Sequence, residues 1–267
     1  MADQSLEALA RQAVEGDREA LNAVVVAIQG PVYGLALRML WNRADAEDAT
    51  QEILVRVVTR LAQFDLRSAL TTWVYRVAVN YLLDVKKSPI ERMRLTFEAF
   101  GDDLAHGLSD AGPADVERSV LVEEVKVGCT LAMLQCLDRP HRLAYVFGEI
   151  FEMSGPEAAE ILGIVPDAFR KRLQRARDEV MAFTRAHCGL VSSDAACACH
   201  RRVPAALAAG RVSETGVDFA AGPGSFAEAR TTIVRLDAAK RALAVHRMVT
   251  PRGPSVDFAR RLIERIQ

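Results

Sequence analysis

Residues 45–87 read DAEDATQEILVRVVTRLAQFDLRSALTTWVYRVAVNYLLDVKK and contain two apolar stripes separated by a short polar loop. The first stripe runs from Ile53 to Leu61 and the second from Trp73 to Val85, with apolar residues three or four positions apart. This spacing places the apolar side chains on one face of an α-helix. The stretch therefore predicts two amphipathic helices, and Asp45 is the predicted N-cap of the first.

The 267-residue chain is 50% hydrophobic and 6% aromatic, which excludes global disorder and favours helices over a β-sandwich. At about 150 residues per domain, this length favours two domains. Apolar residues recur at helical spacing from Val24 to Leu40, with a predicted break at Gly30-Pro31. The uncharged apolar run Ala23–Ile28 is far shorter than a membrane span of roughly 20 residues. We therefore expect a cytoplasmic protein without a membrane partner.

Charge is distributed unevenly, although the formal net charge is only −1. Residues 89–125 carry nine acidic and three basic side chains, whereas 187–267 carry seven acidic and twelve basic ones. The segment 89–120 lacks helical periodicity and contains glycine and proline, so we predict a flexible acidic linker with a short helix around 92–100. Local charge density sets the potential that a phosphate backbone meets, so this net charge does not exclude nucleic-acid binding.

A helix-turn-helix pattern follows in residues 154–177, SGPEAAEILGIVPDAFRKRLQRAR. Ser154 is the predicted cap of its first helix, Gly163 permits the turn, and Phe169 is the predicted buried anchor of the second helix. The last ten residues contain five basic side chains and no acidic one. In a DNA major groove, arginine can bind guanine and lysine can bind phosphate. An ordinary helical hairpin with a solvated basic face is the alternative.

Two of these segments resemble one known family. Residues 45–87 look like domain 2 of the extracytoplasmic-function (ECF) sigma factors of bacterial RNA polymerase, and 137–177 look like domain 4. The resemblance covers about residues 15–186, in the expected order and with the expected linker. The chain departs from the family pattern at Ala49-Thr50, at Val79, where the family often has a basic residue, and at Phe169, which replaces a smaller one.

The resemblance implies an all-α fold with two helical domains, a flexible acidic linker and a mostly helical C-terminal extension. The implied boundaries are 1–88 for domain 2, 89–120 for the linker, 121–186 for domain 4 and 187–267 for the extension. The implied protein is a sigma factor that directs promoter recognition and opening, and it is not an enzyme. Its implied partners are RNA polymerase core, promoter DNA, and either an anti-sigma factor or a C-terminal domain acting in cis.

The resemblance also implies a role for individual residues. Asp48, Gln51 and Glu52 would dock on core polymerase. The loop 64–72 would hold a flipped base of the −10 non-template strand, which requires an unstacked base and a pocket. The implied −10 contacts are Arg67, Ser68, Thr72, Arg76, Asn80 and Lys87. The implied −35 contacts are Arg170, Lys171, Arg172 and Arg175. For Trp73, which lies on the apolar stripe, core packing is the preferred interpretation.

The C-terminal segment also contains a cluster of cysteine and histidine residues. The predicted function requires no cofactor, but thiol and imidazole ligands could form a tetrahedral zinc site or a copper site. The candidate ligands are Cys188, Cys197, Cys199 and His200. Reduced thiols in a small-residue segment are the alternative, and Cys129 and Cys136 are predicted core residues. A metal- or redox-responsive DNA-binding regulator that acts without polymerase is therefore the alternative function.

Overall fold

The computed structural model describes residues 5–85, 89–109, 120–213 and 218–266. In these ranges the regular secondary structure is helical, apart from two isolated bridges, and the all-α prediction is confirmed. The helices are α1 (Leu6–Val14), α2 (Arg18–Leu40), α3 (Arg43–Thr59), α4 (Leu70–Asp84), α5 (Pro89–Arg92), α6 (Phe97–Ala105), α7 (Val120–Cys136), α8 (Arg139–Tyr145), α9 (Gly155–Leu162), α10 (Pro166–His187), α11 (Cys199–Ala208), α12 (Phe226–Val234), α13 (Ala238–Arg247) and α14 (Phe258–Ile266). A 3₁₀ turn covers Leu61–Gln63, and a π-helical turn covers Val146–Ile150.

The chain divides into two compact units. Unit 1 comprises Met1–Ser88, Ser154–Phe169 and Gly253–Gln267, and unit 2 comprises Pro89–Met153 and Arg170–Arg252. The division between the units after Ser88 coincides with the predicted boundary at residue 88, whereas the division after Phe169 lies inside α10. Unit 1 therefore includes α9 and α14 beside the N-terminal helices. The functional domain boundaries inferred from the sequence stay a prediction.

Helix α2 is the centre of unit 1. It packs against α1, α3, α4 and α14, and in its C-terminal half buried residues cover most of its circumference. These residues are Val32, Tyr33, Leu35, Ala36, Leu37, Met39 and Leu40. The helix continues through Pro31, so the predicted break is wrong. Proline removes one backbone hydrogen bond, but the burial of Ile28 and Val32 on either side of it outweighs that loss.

By length and composition alone, helix α2 is also long and apolar enough to cross a membrane. The apolar run counted from the sequence understates this property, because the polar residues between the charged ends of α2, such as Asn22 and Gln29, are uncharged. Half of the most apolar stretch of α2 is buried inside the structure. The central helix of a folded core has this same composition, since it must be apolar on most sides.

The connection between α2 and α3 is tight. Trp41 adopts a left-handed conformation with φ 47° directly after α2. The Asn42 side chain then accepts a 2.9 Å hydrogen bond from the Asp45 N–H and caps α3. Asn42 is therefore the N-cap, and the prediction of Asp45 is wrong. Asp45 lies in the first turn, where the helix dipole also favours a carboxylate.

Unit 2 incorporates the described part of the predicted linker. Residues 89–109 form α5 and α6, which differs from the flexible segment that their composition predicted. The reason is Glu91, whose buried carboxylate accepts hydrogen bonds from Arg139 at 2.7 and 3.0 Å and from Arg142 at 3.1 Å. The acidic segment therefore packs onto the rest of unit 2 where arginine side chains pair with its buried carboxylate. The predicted linker residues 110–119 lie outside the described ranges.

Two further buried carboxylates hold C-terminal residues in unit 2. Glu124 accepts backbone N–H bonds of 2.7–3.0 Å from the three consecutive residues 218–220. Glu149, only 1% exposed, forms ion pairs with Arg177 and Arg247, and Arg247 also donates to its backbone oxygen at 2.8 Å. The residues after α10 are thus packed by specific polar contacts as well as apolar ones.

We expect Glu91→Ala to destabilise the protein by about 3–5 kcal/mol, because the buried Arg142 guanidinium loses its counter-charge. Urea denaturation followed by circular dichroism measures this change. Glu98→Ala on α6 is the matched control, since Glu98 is exposed, and we expect it to change stability by no more than ~0.5 kcal/mol. Equal effects of the two substitutions would contradict the role of Glu91.

Candidate nucleic-acid interface

The helix-turn-helix residues adopt the local conformations predicted for them. Ser154 accepts a 3.4 Å hydrogen bond from the Glu157 N–H and caps α9. Gly163 ends α9 with φ 64°, a left-handed conformation that would strain any residue with a Cβ. Phe169 is 3% exposed, as expected of the anchor of α10. The local structure of this motif is therefore confirmed.

Helix α10 carries basic side chains away from its buried face. The predicted −35 set consists of the exposed residues Arg170, Lys171 and Arg175 and the half-buried Arg172. The buried positions, three or four residues apart, are Leu173, Ala176 and Val180. Arg177, the fifth cation of the run, pairs with the buried Glu149. It therefore has a structural role, which the sequence pattern could not distinguish from the others.

The position of α10 depends on its close approach to the π-helical turn. A Cβ on Gly148 would lie 2.6 Å from the nearest atom of the Leu173 side chain. Any residue larger than glycine at this position would therefore require the Leu173 side chain to move. Tyr145 and Phe147, which precede Gly148, are fully buried and leave little room for that shift. The turn therefore positions the basic helix within unit 2.

The predicted −10 residues lie in different environments. Arg67 is exposed and Ser68 half-buried in the loop before α4, and Asn80 is exposed on α4 itself. Thr72 is only 4% exposed, so the structure places it in the core of unit 1 and not at a DNA-facing surface. Threonine is small enough to be buried although it does not belong to the apolar stripe, so the sequence pattern did not indicate this position. Lys87 lies outside the described residues.

Arg76 is occupied by a partner within unit 1. Its Nη2 donates to the Glu160 backbone oxygen at 3.0 Å and to the Glu160 carboxylate at 3.3 Å, because α9 packs against α4. Helical periodicity predicts which face of α4 carries Arg76, but not which residue packs against that face. Trp73 is half-buried, with its ring centroid 5.8 Å from that of Phe64, so it packs against an aromatic neighbour but does not lie in the fully buried core.

Helix α3 has one apolar and one polar face. The buried face comprises Ile53, Leu54 and Val57. On the polar face Asp48 and Glu52 are exposed, and Gln51 is half-buried. Arg56 lies 4.7 Å from the centre of the Tyr81 ring of α4. The predicted docking residues are therefore adjacent on one helix, with two carboxylates one turn apart.

Residues 24–88, which include α3 and α4, match the family model of Sigma-70 region 2. The chain is 30% identical over 174 residues to the ECF RNA polymerase sigma factor SigW of Bacillus subtilis, an alignment that covers 63% of this chain and 90% of SigW. The chain belongs to the ECF sigma factor family. This sigma factor is also 28% identical over 186 residues to SigC of Mycobacterium tuberculosis, covering 67% of this chain and 91% of SigC. A structure of CnrH in complex with the cytosolic domain of CnrY is similar at a TM-score of 0.47 and 24% identity, covering 65% of this chain and 93% of that chain.

Four of the sigma factor's five cysteines lie near one another in unit 2. Cys129 on α7 is close enough to Cys188, Cys197 and Cys199, which follow α10, for negative charge on any of them to raise its pKa. The backbones at Cys188 and Cys197 pair, and the Gly189 N–H donates to the Cys197 oxygen at 2.9 Å. Burial raises the pKa of Cys197 to about 11 and raises the pKa values of the other three, so the thiols are protonated at neutral pH.

The predicted metal ligands are not assembled around one point. As the side chains stand, no three His, Cys, Asp or Glu residues of the described ranges are arranged to hold a metal ion. His200 packs edge-on against Phe226, with ring centroids 5.3 Å apart, and its Nδ1 is buried without a hydrogen bond. Cys129 joins the three thiols from a distant part of the sequence, which cysteine spacing could not indicate. A bound metal would have to draw the thiols together.

Metal binding at this cluster stays a prediction, and Zn²⁺ titration of the reduced full chain tests it. We expect Cys197→Ser to lower Zn²⁺ affinity about tenfold or more, since it removes a ligand. Cys136→Ser is the control and should leave affinity unchanged, since Cys136 lies at the end of α7 near Arg142 of α8 and outside the cluster. Comparing Cys129→Ser with His200→Asn determines which of the two is the fourth ligand. A wild-type protein that takes up no Zn²⁺ contradicts the prediction.

Proposed function

We propose that this sigma factor binds core RNA polymerase through α3, reads −35 duplex DNA with α10, and holds opened −10 DNA with the loop 64–72 and α4. The observation that supports this proposal is the presence of an exposed acidic face on α3 and an exposed basic face on α10 in one chain of this family. Each face has the charge sign that its proposed partner requires. The relatives are sigma factors, so the role is regulatory and the chemistry belongs to the polymerase.

The proposed polymerase contact is electrostatic in character. Asp48 and Glu52 are exposed. Their negative charges reach Tyr81 on α4, whose pKa is raised mainly by burial and also by the charges of Glu52 and Asp48. Arg56 over the same ring opposes that rise. A negatively charged helix face favours a basic partner surface and increases its association rate. The buried apolar side of α3 holds this face in a fixed orientation.

The proposed −35 contact uses the exposed side of α10. An α-helix fits the major groove, where arginine can bind both acceptors of guanine and lysine can bind phosphate. Arg172 is half-buried and Arg175 lies about one turn further along the helix. Restricted mobility favours geometry-dependent contacts, so we assign base reading to Arg172 and phosphate binding to the exposed Lys171.

The proposed −10 contact requires an exchange of partners at Arg76. In the free protein its guanidinium is bound to Glu160, and DNA phosphate would take the place of that carboxylate. Arg67 and Asn80 are exposed and need no such exchange, whereas the buried Thr72 supports the position of α4. Lys87 stays a predicted contact. A cytoplasmic location and an anti-sigma partner belong to the same proposal.

Charge reversal tests polymerase docking. We expect Asp48→Arg with Glu52→Arg to reduce binding to core polymerase at least tenfold, because two like charges then face the basic partner surface. Glu98→Arg with Asp102→Arg is the matched control, since these exposed acids are also four residues apart on one helix, α6. Pull-down with core polymerase measures both. A wild-type chain that binds duplex DNA but not polymerase would instead favour the metal- or redox-responsive regulator.

Substitution of Arg172 tests promoter reading. Arg172→Ala should weaken discrimination among −35 sequences by about 1–3 kcal/mol if the residue contacts a base. Lys171→Ala should weaken binding to all sequences alike and lower the salt dependence. Run-off transcription and binding assays on matched promoter variants separate the two results. Unchanged preference and affinity in Arg172→Ala would remove this residue from the interface.

A further inference from the structure

Residues 253–262 lie on α2 and α3 within unit 1. The chain enters along α3, where the Arg43 side chain reaches the Gly253 backbone oxygen. Helix α14 then packs mainly against α2 and also against α3. These residues were assigned from the sequence to a C-terminal extension, with no indication of where they would pack. Their position places them beside the proposed polymerase-docking residues.

A polar contact fixes the start of this segment. Ser255 donates to the Glu47 carboxylate of α3 twice, through its backbone N–H at 2.8 Å and its hydroxyl at 2.7 Å. Burial raises the pKa of Glu47, but the Ser255 hydrogen bonds and the nearby Arg43 outweigh it, and the net direction is downward. Glu47 is therefore ionised at neutral pH and accepts both bonds. It precedes Asp48 directly in the chain.

Helix α14 is held by polar and apolar contacts together. The Gln29 side chain of α2 accepts a hydrogen bond from the Ala259 N–H at 3.3 Å, which satisfies one of the unpaired donors in the first turn of α14. Phe258 and Leu262, one turn apart, are 2% and 6% exposed. They line a narrow crevice together with Arg261 of α14 and with Gln51 and Leu54 of α3.

We propose that residues 253–262 are a built-in competitor of core RNA polymerase, which occupies the surface of α2 and α3 that polymerase docking needs. This inference rests on the proposed docking through α3. Gln51 is the shared residue, because it lines the crevice under α14 and also belongs to the predicted docking set. A polymerase surface that reaches Gln51 would overlap Phe258, Arg261 and Leu262. The free sigma factor then binds polymerase only after this segment leaves.

The competition can be measured with full-length variants that release the segment. We expect Leu262→Asp to bind core polymerase about tenfold more tightly than the wild type, because the apparent affinity is the intrinsic affinity multiplied by the fraction of molecules in which the segment has left α2 and α3. Ser255→Ala, a milder release, should strengthen binding by a smaller factor in the same direction. Val234→Asp is the matched control, since Val234 is an exposed aliphatic residue of α12, and its affinity should equal that of the wild type.

Hydrogen exchange provides a second readout that does not depend on a substitution. In the wild-type complex with polymerase, amides of residues 259–262 should exchange faster than in the free protein, because α14 has been displaced. Unchanged affinity of both release variants, or equal or slower exchange in the complex, would overturn the competition and leave docking through α3 intact. If Asp48→Arg with Glu52→Arg still binds polymerase in the Leu262→Asp background, docking through α3 fails and the competition fails with it.

Discussion

The burial of α2 is the constraint on which unit 1 depends. A helix that is apolar around most of its circumference must be covered on nearly every side. Helices α1, α3, α4 and α14 provide that cover, and α2 itself remains continuous at Pro31 because its neighbours hold it. Packing on α2 also determines which side of α3 faces outward. The acidic face proposed for polymerase docking is thus a consequence of how the core is closed.

Unit 2 relies more on buried ion pairs and on carboxylates that bind backbone N–H groups. Glu91, Glu124 and Glu149 are each buried, and each joins segments that are far apart in the sequence. Removing one partner of such a pair leaves an uncompensated charge, so these contacts specify the arrangement more strongly than exposed ion pairs do. They explain how a strongly acidic stretch is folded in its described part.

The sequence predicted local structure well and tertiary partners poorly, for a physical reason. The helical form of α3 and α4, the cap at Ser154, the left-handed Gly163 and the buried Phe169 depend on neighbours a few residues away, and all are confirmed. The stripe predicted for α4 is confirmed only in part, because Tyr75 and Val79 are buried in place of Trp73 and Tyr81. The break at Pro31 and the cap at Asp45 are wrong because long-range packing and a competing Asn42 prevailed. The pairing of Arg76 with Glu160 and the proximity of Cys129 to three other cysteines join distant segments, which helical periodicity in the sequence does not indicate.

The pairing of Arg177 with Glu149 limits how α10 can interact with a polyanion. Five cations occur between residues 168 and 177, but this one is paired with the buried Glu149 carboxylate. At most four remain to displace the ions condensed on DNA, and each phosphate neutralised on duplex DNA contributes about 0.9 to the slope of log affinity against log salt concentration. While the pair with Glu149 is intact, residues 168–177 therefore contribute at most four cations to the ionic-strength dependence of DNA binding.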